Sequence, residues 1–272
     1  MKTNNITFIG AGNMSRALVA GLVAMGYAKE KITVSNPSQQ KLDFFQQQFG
    51  VQVTSDNATA IAQADIVVFA VKPGVVPTVC QELKADLMAR RPLIISMASG
   101  VTTDSFATWL DGSLALVRAM PNTPAAVGAG ATGVFANAQT SEAACSQAEA
   151  LFRSVGVTVW VNQEIEIDMV TAISGSGPAY YFLVIEAMQE AAVKMGLSQE
   201  AARLLSLQTV LGAAKMAMET QVDVRELRRS VTSPNGTTEA AIAVLEQGHL
   251  KSLFEDAMQA AFQRAQQLAG DA

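Results

Sequence analysis

Histidine occurs once in 272 residues and cysteine twice, and these two scarcities remove most of the usual routes to acid–base, thiol and metal chemistry. The single histidine, His249, follows Gly248 between two helical stretches, the place of a solvated turn residue. No H-E-x-x-H, Cys/His cluster or Ser/His/Asp set can be built, so no metal site is expected. Cys80 and Cys145 stand far apart without histidine or further cysteine beside them. That pattern reads as two packing thiols in a reducing compartment and makes the cytoplasm the expected address. Charge is sparse as well. Charged residues make up 16% of the chain, the net charge is −5, and no Lys/Arg-rich block occurs, which argues against a nucleic-acid partner. Long apolar runs are missing too. Lys194, Arg203 and Lys215 interrupt the greasiest segments, which fall short of the roughly 18 residues a membrane helix needs. The opening "MKTNNITFIGAG" shows no signal-peptide pattern.

What is present is a 50% hydrophobic chain in two styles. Up to about residue 163, short β-branched runs alternate with helical patterns. The strands read as 6–10, 31–35, 65–71, 92–99, 114–120 and 156–161. Alternation of continuous apolar strands with helices predicts a parallel sheet covered on both faces. From 164 to 272 the pattern is helical. Pro178 and Gly196 bracket one helix, and Ser198 is placed to cap the next. Several of these helices are rich in Ala, Leu and Met over more than one face, which predicts packing against a second copy of the chain. The fold class expected is α/β: a dinucleotide-binding domain over 1–163, then an all-α domain over 164–272.

"GAGNMS" (10–15) follows a predicted strand and opens a predicted helix. Gly10 permits a tight turn, and Gly12 lets a pyrophosphate approach the helix N-terminus. Ser15 stands where the dinucleotide fingerprint has a third glycine. The second strand ends in "VSNPSQQK" without the Asp or Glu that accepts from an NAD ribose. Ser35, Asn36 and Ser38 offer neutral donors there and Lys41 a positive charge, which favours NADPH, although a plain polar turn has the same composition. "AVKP" puts Val71, Lys72 and Pro73 at the carboxyl edge of the sheet. "MASG" (97–100) and "MPNTPAAVGAG" (120–130) end the next two strands, and Met120 and Asn122 are the expected nicotinamide contacts.

A hydroxy-acid dehydrogenase needs a base to take the hydroxyl proton, and none stands in a suitable turn. An iminium carries its own proton, so the missing base points to C=N reduction. "ISGSGP" (173–178) and "TSPNGTT" (232–238) put glycines and hydroxyls just before helix N-termini. Backbone N–H groups and the helix dipole suit a carboxylate there, and Ser233, Gly236, Thr237 and Thr238 supply donors without a basic side chain. An elaborate N-cap is the simpler reading of the same residues.

Taken in order, "ITFIGAGNM", "FAVKP", "MASGVT", "RAMPNTPA", "VTAISGSGPAYYF", "GAAKM" and "SVTSPNGTTEAAIAVLE" resemble the Δ1-pyrroline-5-carboxylate reductase family over essentially the whole chain. One departure is Asn235, where the family more often has glycine; asparagine tolerates the left-handed turn such a position requires. The resemblance implies NAD(P)H-dependent reduction of L-1-pyrroline-5-carboxylate to L-proline. It implies a Rossmann-type domain followed by a helical domain that interleaves with its mate, in obligate homodimers and in many members a ring of five dimers. Carried onto this chain, Gly10, Ala11, Gly12, Asn13, Met14, Asn36, Asn57, Val71, Lys72 and Pro73 would hold the cofactor. Ser233, Gly236, Thr237 and Thr238 would hold the substrate carboxylate. Thr171, the catalytic candidate, matches a threonine near the ring nitrogen, where it would donate or relay a proton or, the favoured reading, orient the ring. Another reductase of similar architecture and a non-catalytic dinucleotide or proline sensor are the competing readings.

Overall fold

The computed structural model describes residues 4–270. Contacts among them divide into two compact units, one running to Ser176 and resumed from Ala261, the other Gly177–Ala260.

The first unit is built on an eight-stranded sheet: β1 (Ile6–Ile9), β2 (Ile32–Ser35), β3 (Gln52–Thr54), β4 (Ile66–Phe69), β5 (Leu93–Ser96), β6 (Leu116–Met120), β7 (Gly130–Ala136) and β8 (Gly156–Trp160). The strands lie in the order β3-β2-β1-β4-β5-β6-β7-β8. Strand order therefore reverses between β1 and β4, the crevice where open α/β sheets take their ligands. Alternate residues along each strand serve opposite faces. Phe8, Val34, Val68, Ile95, Val117 and Val134 join one cluster with Leu18, Leu22, Phe45, Leu151 and Phe152. These helical residues come from α1 (Asn13–Ala24), α2 (Gln39–Phe49) and α6 (Glu142–Arg153). Ile9, Val67, Phe69, Ile94 and Leu116 join the other with Ile61, Leu83, Leu87 and Phe106, from α3 (Asn57–Ile61), α4 (Val76–Arg90) and α5 (Thr103–Leu110).

Two strands, β3 and β7, are not among those expected, and one of them breaks the expected all-parallel sheet. The three-residue strand β3 pairs parallel with β2. Strand β7 runs antiparallel to β6, and β8 follows β7 in parallel, so the last two strands run against the first six. A further difference lies at the domain boundary. Residues 164–176, namely α7 (Glu166–Val170), the π-helical turn Thr171–Gly175 and Ser176, pack with the sheet, because buried polar bonds fasten Glu164 and Asp168 to Thr103 and Arg118.

The second unit holds α8 (Gly177–Lys194), α9 (Gln199–Glu219), α10 (Val224–Ser230), α11 (Thr237–Gln247) and the first half of α12 (Leu250–Gly270). Ser198 caps α9 by accepting from the Ala201 N–H at 3.2 Å. Large apolar side chains stand outside rather than inside: Phe182, Leu183, Leu204, Leu211 and Met218 are each at least 60% exposed. Neither α10 nor α11 buries a residue.

Candidate active site

Strand β1 passes to α1 through Gly10, Ala11 and Gly12. At Gly10 φ is +111°, and a Cβ there would lie 2.7 Å from the Ala70 carbonyl oxygen and 3.1 Å from Val71 Cγ1. Only glycine fits such a position. The Gly10 N–H donates to Ser35 O at 2.8 Å, so one residue joins the ends of β1, β2 and β4. Gly12 is the N-cap of α1 with extended backbone, and no side chain caps the helix. The first-turn N–H groups, those of Asn13 and Met14 foremost, are left for an outside acceptor. Ser15 explains its own departure from the fingerprint. It is fully buried, and its hydroxyl donates to Gly10 O at 2.6 Å, bracing the turn that a glycine would leave unbraced.

At the end of β2 one expectation is corrected. Ser35 does not offer its hydroxyl to a ligand; it is fully buried and donates to Asn57 Oδ1 at 2.7 Å. Ser35 instead fixes Asn57, the first residue of α3. Asn36 closes a local turn, its Oδ1 accepting from the Ser38 N–H at 3.0 Å, and its side-chain NH2 has no acceptor among the described residues. Lys41 is exposed nearby. Asp56, just before Asn57, is spent on capping α3. Hydrogen bonds from the Thr59 hydroxyl and the Ala58 N–H lower its pKa.

After β4, Val71 is partly buried against the second core cluster. Lys72 is exposed at the head of a single turn begun by Pro73. At the end of β6, Met120 is half-buried, and its Cε lies 2.7 Å from the point a Cβ on Gly175 would occupy. Asn122, expected beside the nicotinamide, has its amide committed to the protein. Asn122 is buried; its Nδ2 donates to Ser174 O and its Oδ1 accepts from the Ala131 N–H, both at 2.9 Å. Its amide is consumed in joining the β6–β7 loop to the π-helical turn.

That turn opens with Thr171. A single π-helical turn inside a helix is uncommon and is found disproportionately at functional sites. The Thr171 hydroxyl donates to Ile167 O at 2.8 Å, which commits its proton and leaves the oxygen lone pairs as the part able to meet a ligand.

In the second unit, the opening residues of α11 have the features expected of an anion cradle. Asn235 adopts φ +59°, the left-handed geometry expected of it. Its N–H donates to Glu239 Oε2 at 2.7 Å, and Gly236 N–H donates to Ser233 O at 3.0 Å. The N-cap is Gly236 itself, with no side-chain cap. The hydroxyls of Ser233, Thr237 and Thr238 are thus not used to cap the helix, and the first N–H groups of α11 stay uncapped. His249 lies exposed at φ +56° between α11 and α12.

Comparison with known proteins places these features. Residues 164–268 match the family described as pyrroline-5-carboxylate reductase dimerisation, and residues 5–100 match that described as NADP oxidoreductase, coenzyme F420-dependent. The pyrroline-5-carboxylate reductase of Pseudomonas aeruginosa is 48% identical over 99% of this chain and 98% of its own. The chain belongs to the pyrroline-5-carboxylate reductase family. Among solved structures, the reductase of this family from Coxiella burnetii superposes with a TM-score of 0.95 at 52% identity, covering 98% of this chain and 99% of that one. The pyrroline carboxylate reductase of Plasmodium falciparum, solved with NADP bound, gives a TM-score of 0.88 at 30% identity over 99% of both chains. Among the described residues no helix is long and apolar enough to cross a membrane.

Proposed function

We propose that this protein reduces L-1-pyrroline-5-carboxylate to L-proline with NADPH. The carrying observation is the combination of an uncapped, glycine-lined dinucleotide turn with a site that has hydroxyl acceptors and no histidine base.

The residues at the β1–β4 crevice fit the cofactor. The Gly10 turn is closed by a carbonyl against any Cβ, and the uncapped start of α1 presents N–H groups to a pyrophosphate. The side-chain NH2 of Asn36 and the charge of Lys41 suit a 2′-phosphate. Asn57, held by Ser35, and the Val71–Pro73 edge complete the cradle. When bound, NADPH supplies a hydride. The protein's part is then to place an imine carbon against that donor and keep the ring from turning, since positioning supplies most of the rate when no acid–base group does. Thr171 does this as an acceptor: its proton is given to Ile167 O, so its oxygen takes the ring N–H of the iminium. Met120 forms an apolar wall. In the helical unit, Ser233, Thr237, Thr238 and the N–H groups following Gly236 suit a carboxylate.

The apolar faces of α8 and α9 are read as one half of a homodimer core, since monomers rarely leave so much large apolar surface in water. A ring of such dimers would be a further level of assembly. A reducing, cytoplasmic setting suits the two free thiols. Burial pushes the Cys80 thiol up to about 12, which keeps it protonated and inert.

The test is NADPH oxidation on addition of pyrroline-5-carboxylate, with proline identified as product. Turnover with a β-hydroxy-acid couple but not with the imine would refute the reading. Binding of NADPH and proline without turnover would favour a sensor instead.

A further inference from the structure

Strand β6 carries a charge where its neighbours are apolar. Arg118 lies in mid-strand, 2% exposed, between Ser96 of β5 and Phe135 of β7. Its Nη2 donates to Asp168 Oδ1 at 2.6 Å, and its Nη1 stands 3.5 Å from Glu164 Oε1. Glu164 in turn accepts from the N–H and hydroxyl of Thr103 at 2.8 and 2.7 Å. Arg118 Nε is buried without a partner. Burying two charges sets a large desolvation penalty against their attraction, and apolar side chains of similar volume often stabilise a fold as well or better. What the pair does supply is one fixed geometry.

The geometry it fixes belongs to the turn that carries Thr171. Asp168 and Thr171 are three apart, on the same side of their helix. Arg118 and Met120 are two apart on β6, on the same side of the sheet. That side meets the turn at several points. Arg118 holds Asp168. Met120 Cε fills the space over Gly175. Val170 Cγ1 comes within 2.6 Å of where a Gly133 Cβ would be, and Gly133 is the register partner of Met120 on β7. Asn122 holds the Ser174 carbonyl. The contacts to Ser174 and Gly175 fall within the π-helical turn and that of Val170 just before it, all through packing or a neutral bond. The ion pair is the charged anchor of the turn of helix just before Thr171, the turn whose Ile167 carbonyl receives the threonine proton, and Val170 adds packing there.

We propose that Arg118 is a positioning residue for the reduction: its buried pair with Asp168 sets where the Thr171 oxygen stands relative to the ring nitrogen. The proposal rests on the reading of Thr171 as the acceptor for the substrate's ring N–H.

The test replaces both buried partners as Arg118→Met with Asp168→Leu; the partly exposed Glu164 keeps its two bonds from Thr103. This variant is expected to melt close to the parent and to bind NADPH with unchanged Kd. Its kcat should fall about tenfold to a hundredfold, the cost of a misplaced group, with a smaller change in substrate KM. Amide exchange across residues 167–176 should quicken in the cofactor-free protein. Thr171→Ala should lower kcat by about tenfold in the parent background and by less than about twofold in the pair-less one, because coupled residues do not add. Unchanged kcat in the pair-less variant, or equal Thr171→Ala losses in both backgrounds, would overturn the proposal. Should that variant not fold, Arg118→Lys, which keeps the charge without the planar fork, carries the same comparison: lowered kcat and non-additivity are expected, full activity refutes. Thr171→Ala with full kcat in the parent would instead sink the reading of Thr171, and this proposal with it.

Discussion

Gly10 and Gly12 sit two residues apart in one turn, yet adding a methyl group to each should produce opposite defects. At Gly10 the alanine would be held at φ +111° with its Cβ 2.7 Å from the backbone oxygen of Ala70. A non-glycine residue in sparsely populated backbone space costs about 1–3 kcal/mol, and overpacking against backbone that must move adds about 1–3 more. For a unit of this size each kcal/mol shifts Tm by about 2–4 °C, so Gly10→Ala should lower the midpoint by at least about 4 °C. At Gly12 the backbone is φ −87° and ψ −177°, which alanine adopts freely, and the nearest atom to its Cβ is 4.0 Å away. Alanine is a poorer N-cap than glycine, by about 1 kcal/mol, but restricting the unfolded chain returns about 0.4–1 kcal/mol. Stability should therefore be nearly unchanged. The new methyl would stand beside the uncapped N–H groups of α1. Loss of one charged hydrogen bond there costs about 1.5–3 kcal/mol, or about 10- to 150-fold in Kd for NADPH. Thermal unfolding at fixed protein concentration and fluorescence titration with NADPH measure the two effects separately. If Gly12→Ala binds NADPH normally, the turn is not a phosphate cradle. If both variants lose equal stability, the geometric account of Gly10 is wrong.

Asn36→Asp should weaken NADPH selectively, through repulsion of the 2′-phosphate, by about 1–3 kcal/mol in kcat/KM; equal losses with NADH would show that Asn36 does not read that position. Thr238→Ala should raise KM for pyrroline-5-carboxylate by about 10- to 150-fold, the cost of a hydrogen bond to a charged group, with KM for NADPH barely moved; an unchanged substrate KM would reduce the turn at Gly236 to a helix start. Light scattering at micromolar concentration should return a mass of at least two chains, and a value near the chain's own 28.6 kDa would refute the reading of the exposed helix faces.

The strands legible in the sequence were those whose apolar runs are long enough to fill both faces of the sheet, as in "ITFIG" and "DIVVFAV". Strand β3 has three residues and β7 reads "GATGVFA", too short in one case and too rich in small residues in the other to carry a periodic signal. β7 owes its place to pairing with β6 and β8, which is tertiary information. The dinucleotide turn was legible because its glycines answer to local geometry. The roles of Ser35 and Asn122 were not, because each hydroxyl or amide looks the same in sequence whether it meets a ligand or the protein's own Asn57 and Ser174. Arg118 stands within "RAMPNTPA", where no local pattern names its role. Only a buried carboxylate fifty residues later gives it a purpose, although a lone arginine inside an apolar strand run is itself a signal. The π-helical turn has no sequence signature beyond "TAISG".

The way the first unit is closed bears on how such a protein can be taken apart. Its chain leaves at Ser176 and is resumed from Ala261, with Ala265 buried at 3% exposure. In connectivity the helical unit is an insertion rather than an appendage. A fragment ending at Ser176 would leave out residues 261–270, which group by contacts with the sheet unit. Exchange of helical units between relatives calls for two splice points, one on either side of Gly177–Ala260. Chimeras joined at a single point would inherit the closing segment from the wrong parent.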